Sequence, residues 1–140
     1  MIVRILSYLL SAIILPVIRT LIVDDHAFFR KILKEFLGAI HSVEVVGEAG
    51  SGEEALAAIE RLNPQVIIMD VQMPGLDAIS ACAAVKRKSS AIRVILYSMN
   101  DPDLVGWQTG SRAYACLSKD QLFDDLPYII GRVSQALGAA

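Results

Sequence analysis

From Val17 onward, short apolar runs of strand length alternate with longer segments whose apolar residues recur at helical spacing. A chain patterned this way folds as a parallel sheet with crossover helices, because such runs suit strands buried on both faces. The pattern predicts strands over residues 19–23, 43–47, 66–69, 93–97 and 113–117. Helices are expected over about 27–39, from Ser51 to Leu62, over 78–88, after Asp101-Pro102, and from Asp124 or Asp125 to about Leu137. Ser51 suits an N-cap, with Glu53 and Glu54 at the positive end of the helix dipole, and Asn63-Pro64 ends that helix. Asp101-Pro102 offers a cap followed by proline at the first position, although Gly106 and Gly110 weaken the helix it would start. Pro127 is expected in the first turn of the last helix, where a missing N–H costs nothing. These elements make one domain over residues 17–138.

Residues 1–16 do not fit this scheme. They form an apolar extension in which the uncharged run Ile5–Ile18 has 14 residues, short of the ~18–20 that span a bilayer. Leu15-Pro16-Val17 is a poor cleavage site for a secretory signal. As a helix, the extension would carry Arg4, Ser7 and Ser11 on one polar stripe and could pack on a partner or lie on a membrane surface. A second reading is that Val17 is the true GTG-coded start and the preceding residues are not part of the protein. Both stand at this point.

Composition narrows the function classes. Hydrophobic residues make up 54% and charged residues 20%, which favours a packed core over disorder. The net charge is −2 with no cluster of Lys and Arg, so no nucleic-acid-binding face is expected. Cys82 and Cys116 lack zinc-ligand spacing and read as two reduced, buried thiols of a cytoplasmic protein.

Ligands of an open parallel sheet collect at the carboxyl ends of its strands. The first strand delivers Asp24 and Asp25 there, the third Asp70, the fourth Ser98, and the fifth, after a short extension, Lys119. Carboxylates crowded on one rim repel one another, and a small hard cation relieves that. An all-oxygen set with room for water favours Mg²⁺. A cation, an ammonium and a hydroxyl together suit the oxygens of a phosphoryl group, and a carboxylate can act as the nucleophile that accepts it.

Leu21-Ile22-Val23-Asp24-Asp25-His26, Met69-Asp70-Val71-Gln72-Met73-Pro74-Gly75-Leu76-Asp77 and Leu117-Ser118-Lys119-Asp120 resemble the three signatures of response-regulator receiver domains of two-component signalling. The likeness covers about Val17 to Leu137, with Ser98 28 residues and Lys119 49 residues beyond Asp70. It is strongest to the branch that usually carries a C-terminal helix-turn-helix, which is not found here. The resemblance implies a flavodoxin-like, doubly wound five-stranded parallel sheet in the order 2-1-3-4-5. It implies a phosphoacceptor, not an enzyme beyond its own phosphorylation and dephosphorylation, with Asp70 phosphorylated by a sensor histidine kinase or phosphotransfer protein. Mg²⁺ would be held by Asp25, Asp70 and the backbone carbonyl of Gln72, with Asp24 acting through water. Ser98 and Lys119 would bind phosphoryl oxygens and relay the change. The output would use the face made by the fourth helix, fifth strand and last helix, toward a downstream protein target or a second copy in a homodimer. Gln72 and Asn100 sit where family members tune phosphate lifetime.

Departures from the family pattern affect that relay. The position three before the lysine, usually Tyr or Phe, is Cys116, and the upstream Gly-Ala pair is Arg112-Ala113. Tyr114 faces the same way as Cys116, so it either takes over part of the aromatic role or simply covers the sheet edge. Trp107 reads either as core or as a partner anchor. Met69, Met73 and Met99 read as packing near the site, His41 as a loop residue, and His26 as the start of the first helix without a ligand role. Two rivals remain in view. Gly50-Ser51-Gly52-Glu53-Glu54-Ala55 matches a dinucleotide-binding fingerprint, but places two acids where a pyrophosphate would approach. The other is a receiver-shaped interaction module that is never phosphorylated.

Overall fold

In the computed structural model, which describes residues 1–6, 17–99 and 110–138, all five apolar runs enter one sheet. The strands are β1 (Ile18–Val23), β2 (Val43–Ala49), β3 (Val66–Asp70), β4 (Arg93–Ser98) and β5 (Ala115–Ser118). Helices α1 (Ala27–Gly38), α2 (Gly52–Leu62), α3 (Ala78–Lys88) and α4 (Lys119–Gly138) complete the described domain. All strand pairs are parallel, in the order β2-β1-β3-β4-β5. This is the doubly wound, flavodoxin-like arrangement expected from the sequence.

Strand alternation splits the core into two layers. Leu21, Val23, Ile67, Met69, Val94 and Leu96 face α2 and α3, where Ala55, Ile59, Ala81, Cys82 and Val85 meet them. Ile18, Ile22, Val66, Ile68, Ile95 and Tyr97 face α1 and α4, which contribute Leu33, Leu37, Leu122, Leu126, Ile130 and Val133. The second layer continues upward into the rim, because Asp24 and Asp70 follow Ile22 and Ile68 by two residues.

Several boundaries differ from expectation. The last helix begins at Lys119, not at Asp124 or Asp125, so Pro127 lies inside it and not in its first turn. A reciprocal cap sets the start: Ser118 Oγ accepts the Gln121 amide at 3.2 Å, and Gln121 Oε1 accepts the Ser118 amide at 3.3 Å. The fifth strand starts at Ala115, not Ala113. Arg112 is left-handed (φ 59°), and the Ala113 amide donates to Ser111 Oγ at 3.2 Å, so the chain is still turning there. Residues 2–6 are helical and exposed. The rest of the apolar extension, the helix expected after Asp101-Pro102, Asn100, Gly106 and Trp107 lie outside the described residues.

The glycine-rich stretch before α2 caps that helix. Ser51 Oγ accepts the Glu54 amide at 3.1 Å, and Glu54 Oε2 accepts the Gly50 amide at 3.0 Å. The dinucleotide-like pattern thus forms a serine N-cap, with Glu54 folded back onto the amide just before it. Ser51→Ala is expected to lower stability by about 1 kcal/mol, read as a lower urea midpoint with unchanged slope.

Candidate functional site

β1 ends by passing the Asp24 amide to the Ala49 carbonyl at 3.0 Å, and the chain then leaves the sheet. The Asp24 side chain is fully buried. Its Oδ1 accepts the His26 amide at 2.8 Å and faces His26 Nδ1 at 3.1 Å, while its Oδ2 accepts the Tyr97 hydroxyl at 2.5 Å. The Arg30 guanidinium donates to the Asp24 carbonyl at 2.5 Å. Asp25 is more open, with its Oδ1 3.1 Å from the same His26 nitrogen.

Asp70 arrives from the central strand β3 and is 3% exposed. Its Oδ1 accepts the Gln72 amide at 2.9 Å. One ligand atom each from Asp24, Asp25, His26 and Asp70 falls within 4.8 Å of all the others. His26, expected only to open the first helix, is that helix's N-cap residue, and its ring lies between the two N-terminal acids.

Burial pushes the Asp70 carboxyl above its ordinary value, and the negative charges of Asp24 and Asp25 push it further. The Gln72 amide and the Lys119 ammonium pull the other way. Lys119 is therefore close enough to be felt, yet among the described residues it pairs with no carboxylate. Its ammonium sits 4.1 Å from the centroid of the Phe29 ring and 5.7 Å from that of Tyr97. Ser98 ends β4, and its buried Oγ has no hydrogen-bond partner among the described residues.

The loop after Asp70 is fastened at its far end. Gly75 is left-handed (φ 92°), and a β-carbon there would meet Glu53 Oε1 at 3.2 Å. Glu53 Oε1 accepts the Leu76 amide at 3.1 Å, and Asp77 caps α3 by accepting the Ser80 amide at 2.9 Å. Those bonds from Ser80 hold the Asp77 carboxyl below its ordinary value.

Of the two positions where the sequence departs from the family's switch pattern, Tyr114 immediately precedes β5 and Cys116 lies within it. Tyr114 is 40% exposed, with the Arg93 guanidinium 5.7 Å from its ring centroid. Cys116 is half-buried and packs on the α2/α3 layer, where burial raises its thiol. Cys82, in the same layer, is pushed up to about 12 by burial, so it carries no reactive thiolate.

The donor set suits a small divalent cation: three carboxylates converge, one accessible and two buried, and two of them raise the third. Tyr97 was not singled out from the sequence as a site residue. As the last residue of an apolar run it reads as core, and its partner Asp24 is 73 residues away.

Comparison with known proteins agrees with this geometry. The family model for the response regulator receiver domain matches residues 20–130. A protein-glutamate methylesterase/protein-glutamine glutaminase of Syntrophomonas wolfei is 40% identical over 84 residues, which cover 60% of this chain and 24% of that protein. The response regulator GacA of Pseudomonas viridiflava is 38% identical over 86 residues, covering 61% of this chain and 40% of that one. The chain thus spans well under half the length of these curated relatives. The signal receiver domain of a NarL response regulator from Mycobacterium tuberculosis superposes with a TM-score of 0.75 at 31% identity, covering 86% of this chain and 98% of that one. The chain belongs to the response regulator receiver domain family.

Proposed function

We propose that this receiver accepts a phosphoryl group on Asp70 from the phosphohistidine of a sensor kinase or phosphotransfer protein, and signals by the resulting change in conformation. An Asp70 carboxylate oxygen forms the new bond to phosphorus, the bond from phosphorus to the imidazole nitrogen breaks, and the imidazole leaves with that electron pair. Asp25, Asp70 and the Gln72 carbonyl would hold Mg²⁺, with Asp24 behind them. Bound there, Mg²⁺ would neutralise charge on the phosphoryl oxygens. Lys119 and Ser98 would take the remaining oxygens, the lysine leaving its aromatic seat to do so. The observation that carries this reading is the buried Asp70 at the end of the central strand, with two further carboxylates within 4.8 Å.

The output is proposed to use β5 and α4 together with the segment between Ser98 and Gly110. The exposed Tyr128 bears the Arg132 guanidinium, which donates to its hydroxyl at 3.1 Å. With Tyr114 and Arg93, this makes an aromatic and cationic surface suited to a protein target.

The test is incubation with acetyl phosphate and Mg²⁺ followed by intact mass measurement. A gain of one phosphoryl group, dependent on Mg²⁺ and absent in Asp70→Asn, is the expected result. No gain with either acetyl phosphate or any kinase of the source organism would make the chain a binding module of receiver shape.

A further inference from the structure

A buried tyrosine at the end of a central strand needs an explanation, because phenylalanine would fill the same space without a hydroxyl to satisfy. Tyr97 is fully buried and sits opposite Asp70 in the β3–β4 register. Its ring lies in the α1/α4 layer, 5.5 Å from the Phe29 centroid, and its hydroxyl rises to Asp24 Oδ2 at 2.5 Å. The other Asp24 oxygen is already taken by the His26 amide and faces the His26 ring. Donors therefore hold both oxygens of Asp24 from within the protein, whereas Asp25 stays open and Asp70 has one oxygen on an amide.

We propose that Tyr97 is a positioning residue of the acidic pocket, whose hydroxyl fixes the Asp24 carboxylate so that Asp25 and Asp70 meet the cation in front of an already oriented charge. The inference deepens the proposed function and rests on its metal reading. An unanchored buried carboxylate has several orientations, and ordering it at the moment a cation arrives weakens binding. A donor that holds it beforehand removes that cost. The same ring also meets Lys119, whose ammonium is 5.7 Å from its centroid. One side chain thus backs both the acid and the amine of the pocket. Tyr97→Phe separates these roles, since it keeps the ring and removes only the hydroxyl.

The experiment is a Mg²⁺ titration of the full chain followed by the backbone amide shifts of Asp25 and Gln72, with a urea melt of each variant beside it. Tyr97→Phe is expected to weaken Mg²⁺ binding by about tenfold, in line with other partners that orient metal-binding groups. A purely structural role would move the urea midpoint and leave the Mg²⁺ affinity within about twofold of the parent; that result overturns the proposal. If Tyr97→Phe does not fold, the pair is read in the Asp24→Asn background, where both partners of the buried bond are neutral. There the tyrosine substitution is expected to leave Mg²⁺ affinity unchanged, and an undiminished loss of affinity overturns the proposal. Failure of the parent chain to bind Mg²⁺ would instead reject the metal reading itself.

Discussion

Asp70→Asn is expected to make the metal-free protein more resistant to urea at neutral pH while abolishing phosphoryl uptake. The reason lies in the charge balance of the rim. Burial, together with Asp24 and Asp25, raises the Asp70 carboxyl against the opposing pull of the Gln72 amide and Lys119. A carboxyl raised in the folded chain keeps its proton over a pH window in which the unfolded chain has lost it. Stability therefore falls as pH rises through that window and stays reduced above it. Asparagine keeps the shape and an oxygen for the Gln72 amide but carries no charge. The expected gain is about 1–2 kcal/mol at neutral pH, shrinking as the pH falls through the raised Asp70 value toward the ordinary carboxylate range and gone below it. Urea midpoints in chelator across pH check both the size and the slope. Saturating Mg²⁺ should then stabilise the parent more than the variant, because only the parent retains the full acidic set. An Asp70→Asn protein less stable than the parent at neutral pH would contradict the charge argument.

The largest loss of stability is expected from Ile68→Ala. Ile68 is fully buried in β3, the strand hydrogen-bonded on both sides at the centre of the sheet. It points into the α1/α4 layer two residues before Asp70, so the cavity opens directly beneath that carboxylate. Truncation there is expected to cost about 3–4 kcal/mol, and part of the pocket's order with it. Ile32 on α1 is the control, since 37% of it is already exposed. Ile32→Ala should change stability far less, by about 0.5 kcal/mol. Chemical denaturation of both, followed by the Mg²⁺ titration on whichever stays folded, separates packing from site geometry.

Much of this molecule could be read before any coordinates. Val66-Ile67-Ile68-Met69 is apolar on both faces and fits a strand buried on both sides, which sets Asp70 at its end. Asp24, Asp25, Ser98 and Lys119 each follow such a run, and a parallel sheet sends all of those ends to one rim. What escaped were features set by contacts distant in sequence or by competing local signals. The Tyr97 hydroxyl finds its acceptor through the sheet register, and no local pattern announces that. Ser118 and Gln121 stand at capping-box spacing and signal the start of α4, but Pro127 competes with them, since proline favours a first turn and here lies inside the helix. Arg112 takes a left-handed conformation without being glycine or asparagine, so nothing in its type marks the turn that shortens β5.

The grip of Glu53 on the Leu76 amide ties the stretch after Asp70 to the front of α2, in the layer that Val71, Met73 and Leu76 also join. That stretch begins at Asp70 and ends in the Asp77 cap of α3, so it is held at its far end by bonds to two helices. A displacement of that stretch would therefore bear on α2 and α3 together, on the flank of the sheet turned away from α1 and α4.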